Sequence, residues 1–354
     1  MATAGTTFAN PTVDGIAAGR KLAPMIMTNI VQQIQLRNGR GVTGKYSDDP
    51  LYYEIRIVRI KPLTQEARTL SGSTNIGAFN SDDPEQPTTE QYGLTIDHII
   101  DLPIDIAQSS MDMIPLDLLN GTVKVLQQKV AKNVNASTLA TQLASALNYE
   151  QAGTTTHTVD ITLGTDEVLD KFMDMSVILD NGDEDNGVDT FPLDSRAIQI
   201  RPKIKNYMMK SGKAVFDLNN WTGQHMLKLG QVDYETVPNN KVDGYLGEIN
   251  QTAFYMTPDP IWTLAEKYLG LSAGDLQYVY GVLSAAEGTG RGIAFTRNIV
   301  IDQSPKGQGV RIFPLYRWGI ETWFEKSIVL LVDESNFASL GSGSLSVVGD
   351  ASRS

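Results

Sequence analysis

The chain has 354 residues, of which 41% are hydrophobic and 20% charged, so it can bury a core and is not compositionally disordered. It contains no cysteine, which excludes disulfide frameworks, thiol nucleophiles and thiolate metal sites. The 41 acidic residues outnumber the 29 basic ones, and the net charge of −12 argues against tight nucleic-acid binding, although a local basic patch remains compatible with it. No apolar run approaches the roughly 20 residues that cross a bilayer, and the first residues lack the features of a secretory signal.

The amino-terminal part of the chain predicts an arm followed by a short helix. Residues 1–23 are small and polar and predict an arm with little structure of its own. In residues 24–38 the apolar side chains recur at helical spacing, with Pro24 suited to the first turn and Gly39 to the stop. Residues 39–50 then predict a loop.

Two predicted strands enclose a long polar stretch. Residues 51–60 and 92–100 are rich in β-branched and aromatic side chains and predict strands. Residues 62–91 contain few large apolar side chains. A connection of that length is usually functional or disordered, so we expect a long excursion from a sheet.

A long helix is the strongest prediction of the sequence. From Pro115 to Leu147 the apolar side chains step by three and four, with Gly121 as a weak point that costs up to about 1 kcal/mol relative to alanine. At about 1.5 Å per residue this helix is near 50 Å long. We therefore expect it to be the spine of the molecule.

The remaining chain predicts a mixture of short helices and strands. A helix is expected over residues 165–179, with Thr165 as the N-cap and two acidic residues favouring the helix dipole. The other expected elements are a strand over 195–200, a helix over 203–210, and strands over 232–237, 245–249, 253–256, 310–313, 319–324 and 327–332. Residues 335–354 are low in complexity and predict a mobile tail.

One glycine-rich stretch imitates a cofactor motif. Gly39, Gly41, Gly44 and Lys45 match the dinucleotide fingerprint and, apart from Tyr46, the phosphate-binding loop. Both motifs work between a strand and a following helix, whose N-terminus holds the phosphate. Here the glycines follow a predicted helix and precede a predicted strand, so we interpret them as a connector.

The titratable residues form no recognisable catalytic or metal-binding arrangement. Residues 180–189 are acidic enough for calcium, but they lack the EF-hand register and its final glutamate, which favours a solvated loop. The histidines lie far apart and without metal-ligand spacing, which favours packing or surface roles; they are His98, His157 and His225. Nothing marks a carboxylate pair such as Asp82 and Asp83 as a buried acid, and no Gly-x-Ser-x-Gly nucleophile elbow is present. We therefore predict no catalytic, cofactor-binding or metal-binding residue, no cofactor and no enzymatic activity.

The order of these parts resembles that of the tailed-bacteriophage major capsid proteins. The best local matches are residues 51–91, 115–147, 196–202 and 316–331. The resemblance implies an α+β fold of the Hong Kong 97 type. It also implies the following parts: an N-arm with a short helix (1–48), an E-loop with flanking strands (49–92), a P-domain with the spine helix (93–158), an A-domain (159–309), closing strands returning to the P-domain (310–334) and a flexible tail (335–354).

The same resemblance implies a structural function. Copies of the chain would form pentamers and hexamers of an icosahedral shell that encloses double-stranded DNA, in a virion assembled in the bacterial cytoplasm. Because the chain begins without an extra charged helical region, we expect a separate scaffolding protein, beside a portal and non-specific contact with DNA. A decoration protein is left open, no membrane contact is expected, and no residue pair is assigned to covalent cross-linking.

Three alternatives stay open at this stage. An encapsulin-like compartment shell would share the fold and differ in its contents. A secreted or surface β-rich adhesin would need an export signal. A hydrolase using calcium in the acidic loop would lose its activity when Asp183 and Asp185 are replaced by alanine.

Overall fold

The computed structural model describes residues 33–36, 39–47, 54–60, 89–101, 104–107, 117–151, 157–164, 166–183, 188–211, 244–295, 300–303, 309–313 and 315–333. The helices in this part of the chain are α1 (Asp117–Gln151), α2 (Val168–Asp180), α3 (Pro202–Ser211) and α4 (Asp259–Tyr268). The strands are β1 (Thr43–Ser47), β2 (Glu54–Ile60), β3 (Thr89–Thr95), β4 (His98–Asp101), β5 (Ile104–Ala107), β6 (Thr158–Asp160), β7 (Arg196–Ile200), β8 (Tyr245–Ile249), β9 (Thr252–Met256), β10 (Val279–Ala285), β11 (Thr289–Phe295), β12 (Val300–Gln303), β13 (Gly309–Phe313), β14 (Leu315–Thr322) and β15 (Ile328–Val332).

A six-stranded mixed sheet with helices on both faces forms the centre of the fold. Its strand order is β6-β15-β10-β7-β9-β8. The run Ile-Val-Leu-Leu-Val of β15 is buried at every position, because Ile328, Leu330 and Val332 pack towards α1 and α4 while Val329 and Leu331 pack towards α2 and α3. A continuous apolar strand is what burial on two faces requires.

Helix α1 is the spine of the molecule. Its 35 residues correspond to a length of about 50 Å. Small side chains at Ala136, Ala140 and Ala144 line the face that packs with α4 and the sheet, and they allow close approach. Gly121 lies within the helix, so its entropic cost does not end it.

The described residues form three smaller sheets in addition. A four-stranded sheet has the order β1-β11-β14-β4, a three-stranded sheet has the order β12-β13-β5, and β2 pairs with β3. The β2–β3 hairpin is antiparallel, from Glu54 opposite Thr95 to Ile60 opposite Thr89. Residues 61–88 connect its two strands and lie outside the described residues.

Many predicted elements are confirmed. The strand pair around the polar stretch appears as β2 and β3, with β4 completing the second predicted run; the spine appears as α1. The shorter predictions appear as α2, α3, β7, β8, β9, β13, β14 and β15. The predicted arm, most of the polar stretch, the strand over 232–237 and the tail lie outside the described residues.

Three boundaries were wrong. The helix predicted to reach residue 38 does not include residues 34–36, where Leu36 has a left-handed φ of 58°. The predicted loop over 39–50 contains β1, which forms because it pairs in parallel with β11. Helix α2 begins at Val168, after Glu167 rather than Thr165, because the carboxylate of Asp166 accepts a hydrogen bond from the Thr162 amide and belongs to the preceding turn.

Candidate assembly site

A short amino-terminal segment is buried between the spine and the two largest sheets. We call residues 33–36 and 39–43 the anchor segment. Within it Ile34, Leu36 and Val42 are buried, and Leu36 and Val42 pack on Ala197 of β7 and Tyr255 of β9. The chain therefore passes through the interior before it enters β1.

The side chain of Gln35 is the centre of a buried polar network. Its Nε2 donates to the Met256 carbonyl at 3.0 Å. Its Oε1 accepts from Gln199 Nε2 at 3.1 Å and from Thr257 Oγ1 at 2.7 Å. Because Gln35 is only 2% exposed, these bonds take the place of water.

The backbone of the anchor segment is held from two further sides. On the spine, Asn135 accepts from the Gln35 amide at 2.9 Å and donates to the Gln33 carbonyl at 3.1 Å. From β11, the guanidinium of Arg291 donates to the carbonyls of Gln35, at 2.9 Å, and Leu36. Arg291 is 1% exposed, and its planar fork suits two consecutive carbonyl oxygens.

Gly41 lies where the backbone of the anchor segment comes very close to Ala197 of β7. It has φ of +73°, and a Cβ there would lie 2.9 Å from Ala197 Cβ and 2.9 Å from Leu36 Cδ2. The Gly41 amide donates to the Ser195 carbonyl at 2.8 Å, and the Gly39 amide donates to Val42 at 3.0 Å. These amides are used inside the protein, unlike those of a phosphate-binding loop, which point at a ligand. Strand β1 begins at Thr43, after Gly39 and Gly41, and contains Gly44 and Lys45. A strand and not a helix therefore follows the first two glycines, in agreement with our interpretation of a connector.

Polar side chains close the end of the anchor segment. Arg40 donates to Glu248 Oε1 at 2.9 Å and to the Gln251 carbonyl at 2.8 Å, and Thr43 donates to the Ala286 carbonyl at 2.6 Å. The anchor segment is thus bonded to α1, β7, β8, β11 and the turns beside β9 and β10. The anchor segment, which directly follows residue 32, is therefore fixed within the subunit.

The β2–β3 hairpin is also held at its base. Tyr92 lies 5.5 Å from the ring of Trp323 and 5.7 Å from that of Phe324, and Leu94 is fully buried. Gly319 of β14 allows the backbones to meet, since a Cβ there would lie 1.9 Å from the Thr95 carbonyl oxygen. The base of the hairpin is therefore fixed against β14 and the aromatic side chains that follow it.

His98 is a packing residue. It is 4% exposed, stacks on Trp318 at 5.4 Å and meets the edge of Tyr268 at 5.8 Å. Trp318 donates to Ser137 Oγ at 2.8 Å and Tyr268 donates to Asn133 Oδ1 at 3.0 Å, both on α1. This cluster joins β4 and β14 to the spine, and it agrees with the packing role predicted for the histidine.

The acidic loop is tied to cationic side chains where the structure describes it. Asp180 accepts from the fully buried Arg196 at 2.6 Å, and Asp183 lies 3.1 Å from Lys326 Nζ. Asp183 is 1% exposed, so the prediction of a solvated loop was wrong for this residue. The backbone of Asp183 also forms an antiparallel bridge with the buried Val188.

His157 lies beside this loop and is buried. Its Nδ1 is 3.2 Å from the Ile328 carbonyl. Burial lowers the pKa of His157 below its usual value of 6.5, and nearby Lys326 lowers it further, while the Ile328 carbonyl and Asp183 oppose the shift. The side chain is therefore a neutral packing group at neutral pH.

The other predicted candidates do not form a centre. Asp82, Asp83, Asp185 and His225 lie outside the described residues. Among the residues that are described, no three potential metal ligands come together. In the same part of the chain, no helix has the length and apolar character needed to cross a membrane.

Sequence reasoning missed the residues that hold the anchor segment. Gln35, Asn135 and Arg291 carry no motif, and their partners lie up to 256 residues away in the chain. One signal was present: Asn135 and Gln142 interrupt the apolar face of α1, and both donate to carbonyls of the anchor segment.

Solved phage capsids have the same fold as this chain. No protein-family model and no curated protein sequence matches it. The capsid of Ralstonia phage GP4 aligns with a TM-score of 0.53 at 10% identity, covering 85% of this chain and 89% of that one. The capsid of cyanophage P-SCSP1u aligns with a TM-score of 0.50 at 10% identity, covering 85% and 88%. The chain thus has an α+β fold that is similar to that of these capsids, which confirms the predicted α+β capsid fold.

Proposed function

We propose that the chain is the major capsid protein of a tailed bacteriophage, which assembles with copies of itself into an icosahedral shell around double-stranded DNA. The observation that carries this proposal is the likeness to two phage capsids over 85% of the chain. A protein of this kind is structural and not an enzyme. The shell would belong to the virion and be assembled in the host cytoplasm.

The parts of the fold receive their roles from this proposal. Residues 1–48 are the N-arm, 49–92 the E-loop, 93–158 the P-domain, 159–309 the A-domain, 310–334 the closing strands and 335–354 a tail. The anchored points support the assignment of the first two parts. The N-arm is fixed at Gln35 and the E-loop at Tyr92, so both would reach neighbouring subunits from defined positions.

Assembly then follows from many weak contacts made together. Arms that bury their area only against neighbours couple their own ordering to closure of the shell. Once a subunit is held by one contact, the effective concentration for the next is high. Five-fold and six-fold positions need related versions of one head-to-tail contact, and long loops can absorb the difference between them.

Other molecules enter as partners in assembly. A separate scaffolding protein and a portal are proposed, and a decoration protein is left open. Contact with the packaged DNA would be non-specific, because the net charge of −12 opposes strong attraction to phosphates. No membrane is involved.

Electron microscopy tests the proposal directly. The chain is produced alone and together with the products of its neighbouring genes, and the particles are imaged by negative stain. Closed shells, pentamers, hexamers or tubes are expected. A clean monomer under both conditions would overturn the proposal, and shells filled with an enzyme instead of DNA would indicate an encapsulin-like compartment.

A shortened hairpin separates folding from assembly. Replacing residues 62–86 by a short flexible linker retains β2, β3 and the aromatic contacts of Tyr92. We expect the unassembled variant to keep the unfolding transition of the full chain and to form no closed shells. Normal shells from this variant would show that the E-loop assignment is wrong.

A further inference from the structure

Helix α2 presents an acidic face with two exposed apolar side chains. Val168, Phe172, Met175 and Leu179 point into the core. On the opposite face Asp170, Met173, Asp174 and Val177 are exposed at the spacing i, i+3, i+4, i+7. Met173 is 50% exposed and Val177 is 57% exposed, so two apolar side chains one helical turn apart face solvent.

Helix α1 presents a face of the same length and the opposite charge. Within residues 125–148, whose side chains the structure describes, the exposed residues are Val125, Gln128, Lys129 and Lys132. They follow the same i, i+3, i+4, i+7 spacing, and Val125 is 64% exposed. This face carries two lysines and no acidic residue.

Helices α2 and α1 pack on opposite faces of the six-stranded sheet. Helix α2 packs on one face of that sheet together with α3, whereas α1 packs on the other together with α4. Both charged faces are exposed, so they do not contact each other within one subunit. They can meet between two subunits that are arranged head to tail.

We propose that the acidic face of α2 in one subunit packs against the basic face of α1 in the next. This contact rests on the proposed shell function and names residues for it. An antiparallel alignment of the two helices pairs both faces along their whole length. Val125 then faces Val177, and Gln128 faces Asp174. In the same alignment Lys129 lies over Met173 and Lys132 faces Asp170.

Each facing pair is chemically compatible. The valines bury apolar surface against each other at one end of the contact. The methylene stem of Lys129 covers Met173, while its ammonium group reaches Asp174. At the other end Lys132 and Asp170 form an ion pair, with the two helix axes about 8–10 Å apart.

Charge favours a second copy of this chain as the occupant. Each subunit has a net charge of −12, so copies repel one another unless a local contact opposes that repulsion. The chain has fewer basic than acidic residues, so few exposed surfaces are basic. An exposed basic helix face can attract the acidic face of a neighbouring copy and so oppose the overall repulsion. A head-to-tail contact of two different faces closes into rings, as pentamers and hexamers need.

Charge reversal tests the contact. Lys129→Glu with Lys132→Glu is compared with Asp170→Lys with Asp174→Lys. We expect each pair of substitutions to raise the protein concentration needed for half-maximal assembly about tenfold, since like charges then face each other. The chain carrying all four substitutions has both faces reversed, so it should assemble at nearly the wild-type concentration.

Matched controls change the same charges at exposed positions elsewhere. Lys203→Glu with Lys267→Glu and Asp189→Lys with Asp194→Lys alter the net charge equally and should leave assembly near wild type. The proposed contact is refuted if the two-residue variants assemble at the wild-type concentration. It is also refuted if the variant with all four substitutions needs as high a concentration for half-maximal assembly as the two-residue variants. Normal shells that merely lose DNA in the lysine variant would assign the basic face to DNA. A monomeric wild type would overturn the shell function itself.

Cysteine cross-linking tests the alignment. Because the chain has no cysteine, Val125→Cys with Val177→Cys introduces the only two thiols. Oxidation of assembled particles should give a ladder of covalent oligomers, as a disulfide needs Cα atoms within about 7 Å. Val125→Cys alone should give no cross-link. Dimers from that single variant would indicate a two-fold contact between α1 helices and would overturn the proposal.

Discussion

Replacing Gln35 by alanine removes the centre of the polar network in the anchor segment. The Met256 carbonyl, Gln199 Nε2 and Thr257 Oγ1 each lose the partner that Gln35 provides. An unsatisfied buried group costs about 1–3 kcal/mol, and water that enters the space recovers part of this. We therefore expect the free energy of unfolding to fall by about 3–5 kcal/mol.

Urea titration of unassembled subunits measures this loss through the transition midpoint and slope. Gln277→Ala is the matched control, since Gln277 is exposed and its replacement should change the free energy of unfolding by less than about 0.5 kcal/mol. Gln35→Glu keeps the shape, but it loses the donor to Met256 and buries a charge, so it should also destabilise the subunit strongly. A loss below about 1 kcal/mol for Gln35→Ala would refute the reading of this network as a structural anchor.

Two further predictions concern the anchor segment and the acidic loop. Gly41→Ala should lower the free energy of unfolding by about 2–4 kcal/mol, because left-handed strain adds to contacts near 2.9 Å, whereas Gly39→Ala pays only about 1 kcal/mol of strain with open space around its Cβ. The pKa of His157 is lower in the folded than in the unfolded chain, so below pH 6.5 the unfolded chain binds more protons. The free energy of unfolding therefore decreases as the pH is lowered from 6.5, by at most about 1.4 kcal/mol per pH unit. Titrations at several pH values should show this slope in the wild type and a smaller one in His157→Gln.

Each of these has a clear contrary result. Equal losses for the two glycine variants would mean that the anchor segment can move away from β7. An unchanged pH slope in His157→Gln would mean that other groups titrate instead.

Helix α1 and strand β15 could be predicted because the burial of each produces a recognisable pattern of apolar residues in its own stretch of sequence. Helix α1 keeps apolar side chains at steps of three and four over many turns, which few other structures require. Strand β15 is a short apolar run without polar alternation, as expected for a strand covered on both faces.

Helix α4 was missed although its end signals are present. Pro258 is the N-cap and Pro260 lies in the first helical turn, where a proline removes only an amide that has no helical partner anyway. Gly270, with φ of 67°, follows the helix in the left-handed region. Between them Trp262 and Ala265 pack on the spine, and that tertiary contact stabilises a helix of only 10 residues.

The anchor segment could not be predicted for a different reason. Polar residues such as Gln35 are usually exposed, and a sequence pattern assigns them to the surface. Its bonds reach Asn135, Gln199 and Arg291, which are separated from it by 100 residues or more. Only the complete fold brings these side chains together.

The position of β15 within the central sheet determines when a subunit can be finished. This strand is the last one made in the described part of the chain, yet it lies between β6 and β10 rather than at an edge. Until it is inserted, β6 and β10 each present an unpaired edge, and α1 and α4 lack their contacts with Ile328, Leu330 and Val332. We therefore expect the central sheet to be completed only after residue 332 has left the ribosome, so that nascent chains on one messenger RNA do not yet carry the finished sheet before synthesis has passed that point.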